Sequence, residues 1–413
     1  MRMRTSAPRR RSKSPRSPAK RAASTTSTKA TAKPAKPAKS KLAKMATRIA
    51  SGVVMAAVLV GVIRRGHFAV AVTIAAIQTG IFCELVSLRY VEAKERQVPL
   101  FRTLQYGWFA AAMLHSYGSA WLKAPVGGGA VARAANAVVP IEAAAVVLFS
   151  GLLVLTVLSL KPGLYGYQVK QLSWTLMSIT IAVVMLKCAV FLVHAGLFWF
   201  LFPASLVVAN DTFAYFSGVA FGRRLFPRAT FLALSPNKTW EGFLGAFVLT
   251  VAYSWYGAAW WARSAFLRCS YPEVAAAAAA AASAGGGGAA ALDALLPMGR
   301  CANDHLFAPD GGVAPIALGL GVFASSVAPF GGFLASAIKR GFKVKDFAGW
   351  IPGHGGFTDR MDCQLVMSVA AYVVFTTFVR SPLALTFDQV LNAARLLSAD
   401  ERSALVSALQ TAA

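Results

Sequence analysis

Nine apolar runs, each close to the length of a bilayer-spanning helix, follow one another along this chain of 413 residues. They cover about 46–63, 68–88, 105–122, 138–160, 173–195, 197–216, 242–262, 313–336 and 364–380. About 20 apolar residues carry a helix across the hydrocarbon core. Inside a bilayer every backbone polar group must be paired within the protein, so runs of this kind fold as helices. Composition agrees: 56% of the residues are hydrophobic and only 14% charged, too apolar for a soluble domain of this size. The fold class expected is all-α, a polytopic transmembrane helical bundle of about nine spans.

The formal net charge of +26 would suggest nucleic acid if it were spread over a fold. It is not spread, because the first 48 residues contain no Asp or Glu and carry much of the excess. Residues 1–45 are Arg, Lys, Ser, Thr, Ala and Pro with repeats such as KPAKPAK, a composition that buries no core and predicts disorder. A cytosolic polybasic tail leaning on anionic lipid is the favoured reading. A mitochondrial transit peptide, and with it the mitochondrial inner membrane, is the alternative that Arg and Ser enrichment supports and the prolines oppose. Nucleic-acid binding is not expected, since no folded reader accompanies the tail.

With that tail in the cytosol, nine spans place the loops at 89–104, 161–172, 217–241 and 337–362 on the cytosolic side. Those loops hold most of the remaining cations, as the positive-inside rule expects, although Arg64 and Arg65 fall on the wrong side. The transmembrane unit is read as 46–380, with an alanine- and glycine-rich insert at 263–312 facing away from the cytosol. Beyond it, 381–413 is read as two short amphipathic helices. Thr386 with Gln389, and Ser398 with Glu401, have capping-box spacing. This segment is the expected site of a homodimer contact.

The polar exception to all this apolarity runs from Ser336 to Gln364. It holds Lys339, Arg340, Lys343 and Lys345, then Asp346, then a Pro-Gly-His-Gly-Gly turn, and it closes on Asp359, Arg360 and Asp362. Lys and Arg neutralise phosphate oxygens. Carboxylates are hard ligands suited to a magnesium ion that also touches phosphate. Gly353, Gly355 and Gly356 clear side chains where backbone would approach a phosphate. Asp359 and Asp362, three apart, share a face if they open a helix. A plain spacer loop between helices needs none of this. His354 reads either as a phosphate contact or as a hydrogen-bonded turn residue.

Two further polar clusters stand out. Asn210 and Asp211 sit at the end of an apolar run, where an ionisable residue is expensive and functional by default. Within LSPNKTWEG, Lys238 suits a phosphate and Ser235 a helix cap. Glu241 suits a metal or nucleotide ligand, or equally a helix-start charge favoured by the dipole. Arg223 and Arg224 add cations nearby, or simply mark the cytosolic side.

At these residues the sequence resembles the CDP-diacylglycerol synthases, also called phosphatidate cytidylyltransferases. Their signature is met in order by Ser336, Lys339 and Arg340, Lys345 and Asp346, Pro352 to Gly356, and Asp359, Arg360 and Asp362. Thr358 before the pair and Cys363-Gln364 after it resemble the eukaryotic branch, as do Asn210-Asp211, the LSPNKTWEG stretch, Gln78 and Glu84. Glu84 itself is read as structural. One departure concerns Gly332, where the bacterial branch has an acidic residue.

The resemblance implies transfer of a cytidylyl group from CTP to phosphatidate, giving CDP-diacylglycerol and pyrophosphate, in the endoplasmic reticulum membrane. It implies Mg2+ held by Asp359 and Asp362, with Asp346 or Asp211 assisting. Lys339, Arg340, Lys345 and Arg360 would hold phosphates. Asn210, Asp211, Lys238, Glu241, Ser336, His354, Gly355 and Gly356 would contact substrate. Relatives of the eukaryotic type look similar in carrying a cysteine near each end of the insert. A Cys269–Cys301 disulfide is therefore expected if that loop faces an oxidising compartment. A transporter would instead show charges near span centres, and a non-enzymatic scaffold would depend on its basic tail.

Overall fold

The computed structural model describes residues 41–89, 97–123, 140–222, 238–275, 301, 304–307, 312–379 and 398–412, together with 224, 232 and 394. Its long helices are α1 (Lys41–Arg64), α2 (His67–Ser87), α3 (Phe101–Lys123), α4 (Ile141–Leu158), α5 (Tyr165–Ile179), α6 (Met185–Ala195) and α7 (Leu197–Phe221). They continue with α8 (Trp240–Trp261), α9 (Val313–Ser326), α10 (Pro329–Gly341), α11 (Thr358–Val374) and α12 (Ala399–Ala412). A π-helical turn, Thr180–Val184, joins α5 to α6, and a second, Phe375–Val379, extends α11.

Eight helical stretches among the described residues are long and apolar enough to cross a membrane. They are α1 from Ala46, α2, α4, α5 with α6, α7, α8, α9 with α10, and α11 with its π turn. The ninth expected run is also helical, as α3, but Gln105, His115 and several Ser and Tyr residues dilute its apolarity. The expected polytopic all-α bundle is the architecture found, and the described residues form no β-strand.

Burial divides the helices into a core and a periphery. α7 is at the centre and packs against α6, α8, α9 and α11. Phe198, Trp199, Phe202 and Leu206 of α7 are fully buried, with Phe198 stacked on Phe202 at 5.2 Å. α2 buries a stripe at Val70, Ile74, Gln78, Ile81 and Leu85, the three- and four-residue steps of one helix face. α1 and α4, by contrast, expose most of their apolar side chains, as helices facing lipid do.

Helix ends follow local chemistry. Arg65 and Gly66 close α1 with backbone bonds to Val62 and Ile63, and Gly66 has φ +88°, giving the tight turn expected at RRGH. α5 begins at Tyr165, well before the expected 173, because its polar residues find partners. Gln168 accepts from Lys161 N at 2.7 Å and donates to the Ser159 carbonyl at 2.9 Å. The run expected at 313–336 is broken at Val327 and Ala328, and Pro329 starts α10 at the one place where a missing N–H is harmless. α7 runs on to Phe221, so Asn210 and Asp211 lie well inside the helix and not at its end.

On the insert, Cys269 and Cys301 form a disulfide, as expected. The low-complexity run between them lies outside the described residues. Around the disulfide, His67 Nε2 meets the Cys269 carbonyl at 3.1 Å, which fastens the α1–α2 turn to the insert. At the C-terminus, Ser398 and Glu401 form the expected capping box. Glu401 accepts from Ser398 N and Oγ at 2.8 Å each, and Ser398 Oγ accepts from Glu401 N at 3.4 Å. The other expected helix, around Thr386 and Gln389, lies outside the described residues, as does the basic tail up to residue 40.

Candidate active site

Lys339, the last turn of α10, begins the site. α10 ends in a Schellman motif, with Val344 N bonded to the Lys339 carbonyl and Lys343 N to that of Arg340. Lys343 takes the left-handed position, φ +55°, that glycine usually fills. This turns the chain back so that Phe347 and the Pro-Gly-His-Gly-Gly turn lie over the start of α11. That turn is closed on itself by Ile351 N to Gly355 O at 2.9 Å and Gly355 N to Ile351 O at 3.2 Å. Gly353 and Gly355 sit at φ +75° and +83°, conformations an L side chain resists.

Asp359 fastens these pieces together. Its Oδ1 accepts from Lys339 Nζ at 2.7 Å, and its Oδ2 accepts from Phe347 N at 2.9 Å and Gly356 N at 3.0 Å. The carboxylate is almost wholly buried, with three charge-assisted or backbone bonds compensating its desolvation. Lys339 also lies over the Phe347 ring at 5.5 Å. A Cβ on Gly355 would sit 3.0 Å from Asp359 Oδ2 and 3.6 Å from the Asp346 Cβ, so the turn, Asp346 and Asp359 form one tight corner.

A second carboxylate holds the same corner from beneath. Glu84 of α2 is 1% exposed, and it accepts from Phe357 N at 2.7 Å and Thr358 N at 2.8 Å. These are N–H groups that the first turn of a helix leaves without intrahelical partners. α11 is thus capped by a residue from another helix, with the negative charge at the positive end of its dipole. Gly356 makes room, since a Cβ there would stand 2.5 Å from Glu84 Oε1. Gln78, the other polar residue of this α2 face, donates to Tyr117 Oη at 2.7 Å and to the Val183 carbonyl of the π turn at 3.3 Å.

Asp362 lies one helical turn on from Asp359, on the same face, as the spacing predicts. Its surroundings differ. Oδ1 accepts from Cys363 N at 2.7 Å, and its electrostatic neighbours are Asp211 and Lys339. Asp211 on α7 in turn neighbours Lys238 and Arg360. Two carboxylates from facing helices are therefore brought together, flanked by cations. Lys238, just before α8, also reaches the Phe333 ring of α10 at 5.1 Å. The closeness of α10 to α11 explains Gly331 and Gly332: a Cβ on Gly331 would lie 2.4 Å from the Asp362 carbonyl, and one on Gly332 3.4 Å from Asp362 Oδ2.

The remaining expected residues divide. Arg360 is exposed and donates from Nε to the His354 carbonyl at 2.9 Å. His354 Nδ1 pairs with Ser51 Oγ of α1 at 2.8 Å, and a Cβ on Gly353 would meet Arg48 at 3.0 Å. Arg340, Lys345 and Asp346 are exposed around the rim. Ser336 donates its hydroxyl back to Gly332 O at 2.8 Å, an intrahelical bond. Asn210 turns away and accepts from Thr250 Oγ1 at 3.3 Å across α7 and α8. Glu241 is buried in the first turn of α8. The α8 cap is Thr239, which accepts from Gly242 N at 3.2 Å, while Ser235, expected in that role, lies outside the described residues.

Comparison with known proteins shows the family. The model of the cytidylyltransferase family matches residues 46–378, from α1 to the end of the π turn after α11. The chain belongs to this family. A probable phosphatidate cytidylyltransferase of Dictyostelium discoideum is 33% identical over 354 residues, covering 82% of this chain and 71% of that protein. Phosphatidate cytidylyltransferase 1 of Arabidopsis thaliana is 34% identical over 348 residues, covering 80% and 78%. Phosphatidate cytidylyltransferase 1 of Homo sapiens is 31% identical over 336 residues, covering 78% and 69%. These matches bear out the eukaryotic resemblance read from the signature.

Within this cytidylyltransferase, two contacts escape sequence reading. The grip of Glu84 on the start of α11 joins residues 273 and 274 positions apart. The sequence marks Glu84 only as an acid in an apolar run that resembles the family and reads as structural; the structure agrees, and adds the partner. The docking of α1 on the signature turn through Ser51 and Arg48 has no signal at all.

Proposed function

We propose that this protein transfers a cytidylyl group from CTP to phosphatidate, giving CDP-diacylglycerol and pyrophosphate for phospholipid synthesis. The observation that carries the reading is the convergence at one end of the bundle of Asp211 on α7, Arg360 and Asp362 on α11, Lys339 on α10 and Lys238 just before α8. The names of the relatives supply the substrates. A phosphate oxygen of the lipid attacks the α-phosphorus of CTP, a bond to that phosphorus forms, and the bond to the departing pyrophosphate breaks. Lipid phosphate is an anion at neutral pH, so no general base is required. Lys238, Arg360 and Lys339 lower the repulsion between two anionic reactants. Arg340 and Lys345 at the rim suit the leaving pyrophosphate.

The residues present also fit a magnesium ion. Magnesium is bound by one or two carboxylates plus substrate phosphates, and Asp362 with Asp211 is a pair of like charges held close by two packed helices. Of the expected ligands, Asp359 has both oxygens engaged by Lys339 and backbone N–H groups. We assign it to holding the corner, with Asp346 at the rim. Bound magnesium would polarise the α-phosphate and offset the charge between attacking and departing oxygens.

The membrane proposed is that of the endoplasmic reticulum, with the site on the cytosolic face. The Cys269–Cys301 disulfide supports an insert in an oxidising compartment. The test is purified protein with labelled CTP, phosphatidate and magnesium. CDP-diacylglycerol and pyrophosphate should form in equal amounts, and absence of the lipid product under all metal conditions would sink the reading.

A further inference from the structure

A cavity of about 600 Å³ opens beside the site, between α7 and α11, with α6 behind it and Leu59 and Ile63 of α1 at its side. Its walls are two helix stripes. α7 gives Leu201, Ala204, Val208 and Thr212, and α11 gives Arg360, Gln364, Met367 and Ala371. At 1.5 Å of rise per residue, each stripe is about 16 Å long. The two helices run antiparallel here: Trp199 meets Phe375 at 5.2 Å, Gln364 Nε2 donates to the Ala204 carbonyl at 3.0 Å, and Asp211 neighbours Arg360. Thr212 and Arg360 therefore stand at the same end, the end that holds Asp211.

The chemistry changes sharply along this cavity. Its mouth carries the Arg360 guanidinium, with only Nε committed to the His354 carbonyl. Below it, each polar side chain on the wall is already paired within the protein. Thr212 donates to Val208 O, Ser205 to Phe202 O and Ser368 to Leu365 O. Tyr253 donates to Ser205 Oγ, and Trp261 to Tyr253 Oη. A ligand reaching past Arg360 meets a mostly apolar wall of Leu, Ile, Ala, Val, Met, Phe and Pro. A cation at the mouth over a hydrocarbon-lined channel is complementary to an anionic headgroup carrying an acyl chain.

We propose that this cavity holds one acyl chain of the lipid substrate, with its phosphate at Arg360, and that the small residues on its α7 wall set which chains fit. The proposal rests on the lipid acceptor argued above. It places the specificity of the protein in a channel separate from the carboxylates. Ala209, partly buried on the α7 wall, is where a larger side chain would take up channel volume.

The test compares dioleoyl- and dihexanoyl-phosphatidate in detergent micelles. Ala209→Phe should lower the ratio of kcat/KM for long over short chains by tenfold or more. Val208→Trp, at a position half open to lipid, should lower it in the same direction and serves if the first variant folds poorly. Val248→Phe, on the lipid face of α8 and away from the cavity, should keep the wild-type ratio. A ratio unchanged in both channel variants overturns the proposal. A second arm needs no turnover: phosphatidate bearing a diazirine at the chain end is photolysed with wild-type protein and the labelled peptides are sequenced. Label on α7 and α11 supports the channel, and label confined to the outer face of α4 overturns it. Wild-type protein that labels in the channel but makes no CDP-diacylglycerol would break the proposed reaction and leave the lipid site standing.

Discussion

Asp359 and Asp362 are one helical turn apart on α11, yet they live in different worlds. Asp359 is saturated: a lysine and two backbone N–H groups take its oxygens. Asp362 neighbours a second carboxylate, Asp211, and its Oδ1 accepts from the adjacent Cys363 N. Sequence spacing makes the two look equivalent, and the contrast shows that a signature mixes residues that build a site with residues that act in it. A satisfied buried carboxylate stabilises a corner, whereas two carboxylates held close repel each other unless a cation lies between them, the role proposed above for magnesium.

The largest effect should come from Asp362. Asp362→Asn is expected to lower kcat a hundredfold or more, on the order of 3 kcal/mol of barrier, with the thermal midpoint in detergent unchanged. Asp359→Asn should instead lower both activity and stability. It leaves the Lys339 ammonium without its charge partner, and losing one member of a mostly buried pair costs about 3 kcal/mol. Adding Lys339→Met to Asp359→Asn should restore part of the stability, because the stranded charge goes too. If Asp359→Asn kept the wild-type midpoint while Asp362→Asn unfolded the protein, the two roles would be reversed.

Glu84 sharpens the same contrast from outside α11. Glu84→Gln keeps an acceptor for one N–H but points an amide donor at the other, so a buried donor loses its partner. The expected cost is about 1–3 kcal/mol in thermal unfolding, with a fall in kcat larger than any change in the KM for CTP. A variant as stable as wild type would show that the cap is unimportant.

The smallest effect lies at the far end of the chain. The Glu401 carboxyl is held below its usual range by hydrogen bonds from the Ser398 backbone N–H and hydroxyl. A carboxyl with a depressed folded value lends stability above its unfolded value, near 4.3, and loses it as pH falls through the folded value. The helix Ala399–Ala412 should therefore fray on acidification below about pH 4, measured by amide exchange in its first turn. The rest of the bundle should be unaffected, since Glu401 is fully exposed.

The spans were legible because apolar runs of bilayer length admit one solution. What escaped was local pairing that overrides polarity. Gln168 allows α5 to start early by bonding to the preceding turn, and Asp211 stays inside α7 because cations stand around it. The start of α11 at Thr358 agrees with the shared face read from the Asp pair. The division of labour within that pair did not follow, because it depends on Lys339, Phe347 and Gly356 converging from a turn whose path no periodicity encodes. Glu84 and Ser51 meet residues about 270 to 300 positions away. Sequence reasoning reaches such contacts only as an acid read as structural without its partner, or as an unremarked serine.

The contact of α1 with the signature turn has a practical consequence for anyone shortening the chain. α1 buries almost nothing, yet Ser51 and Arg48 touch His354 and Gly353. Trimming from the N-terminus should therefore show a threshold and not a slope. Cuts that stop ahead of Lys41 remove only basic tail, while a cut past Arg48 strips the outer brace from the Pro-Gly-His-Gly-Gly turn. An affinity tag spliced close to that boundary would intrude on catalysis from a position that looks, on the linear map, as remote from the active site as the chain allows.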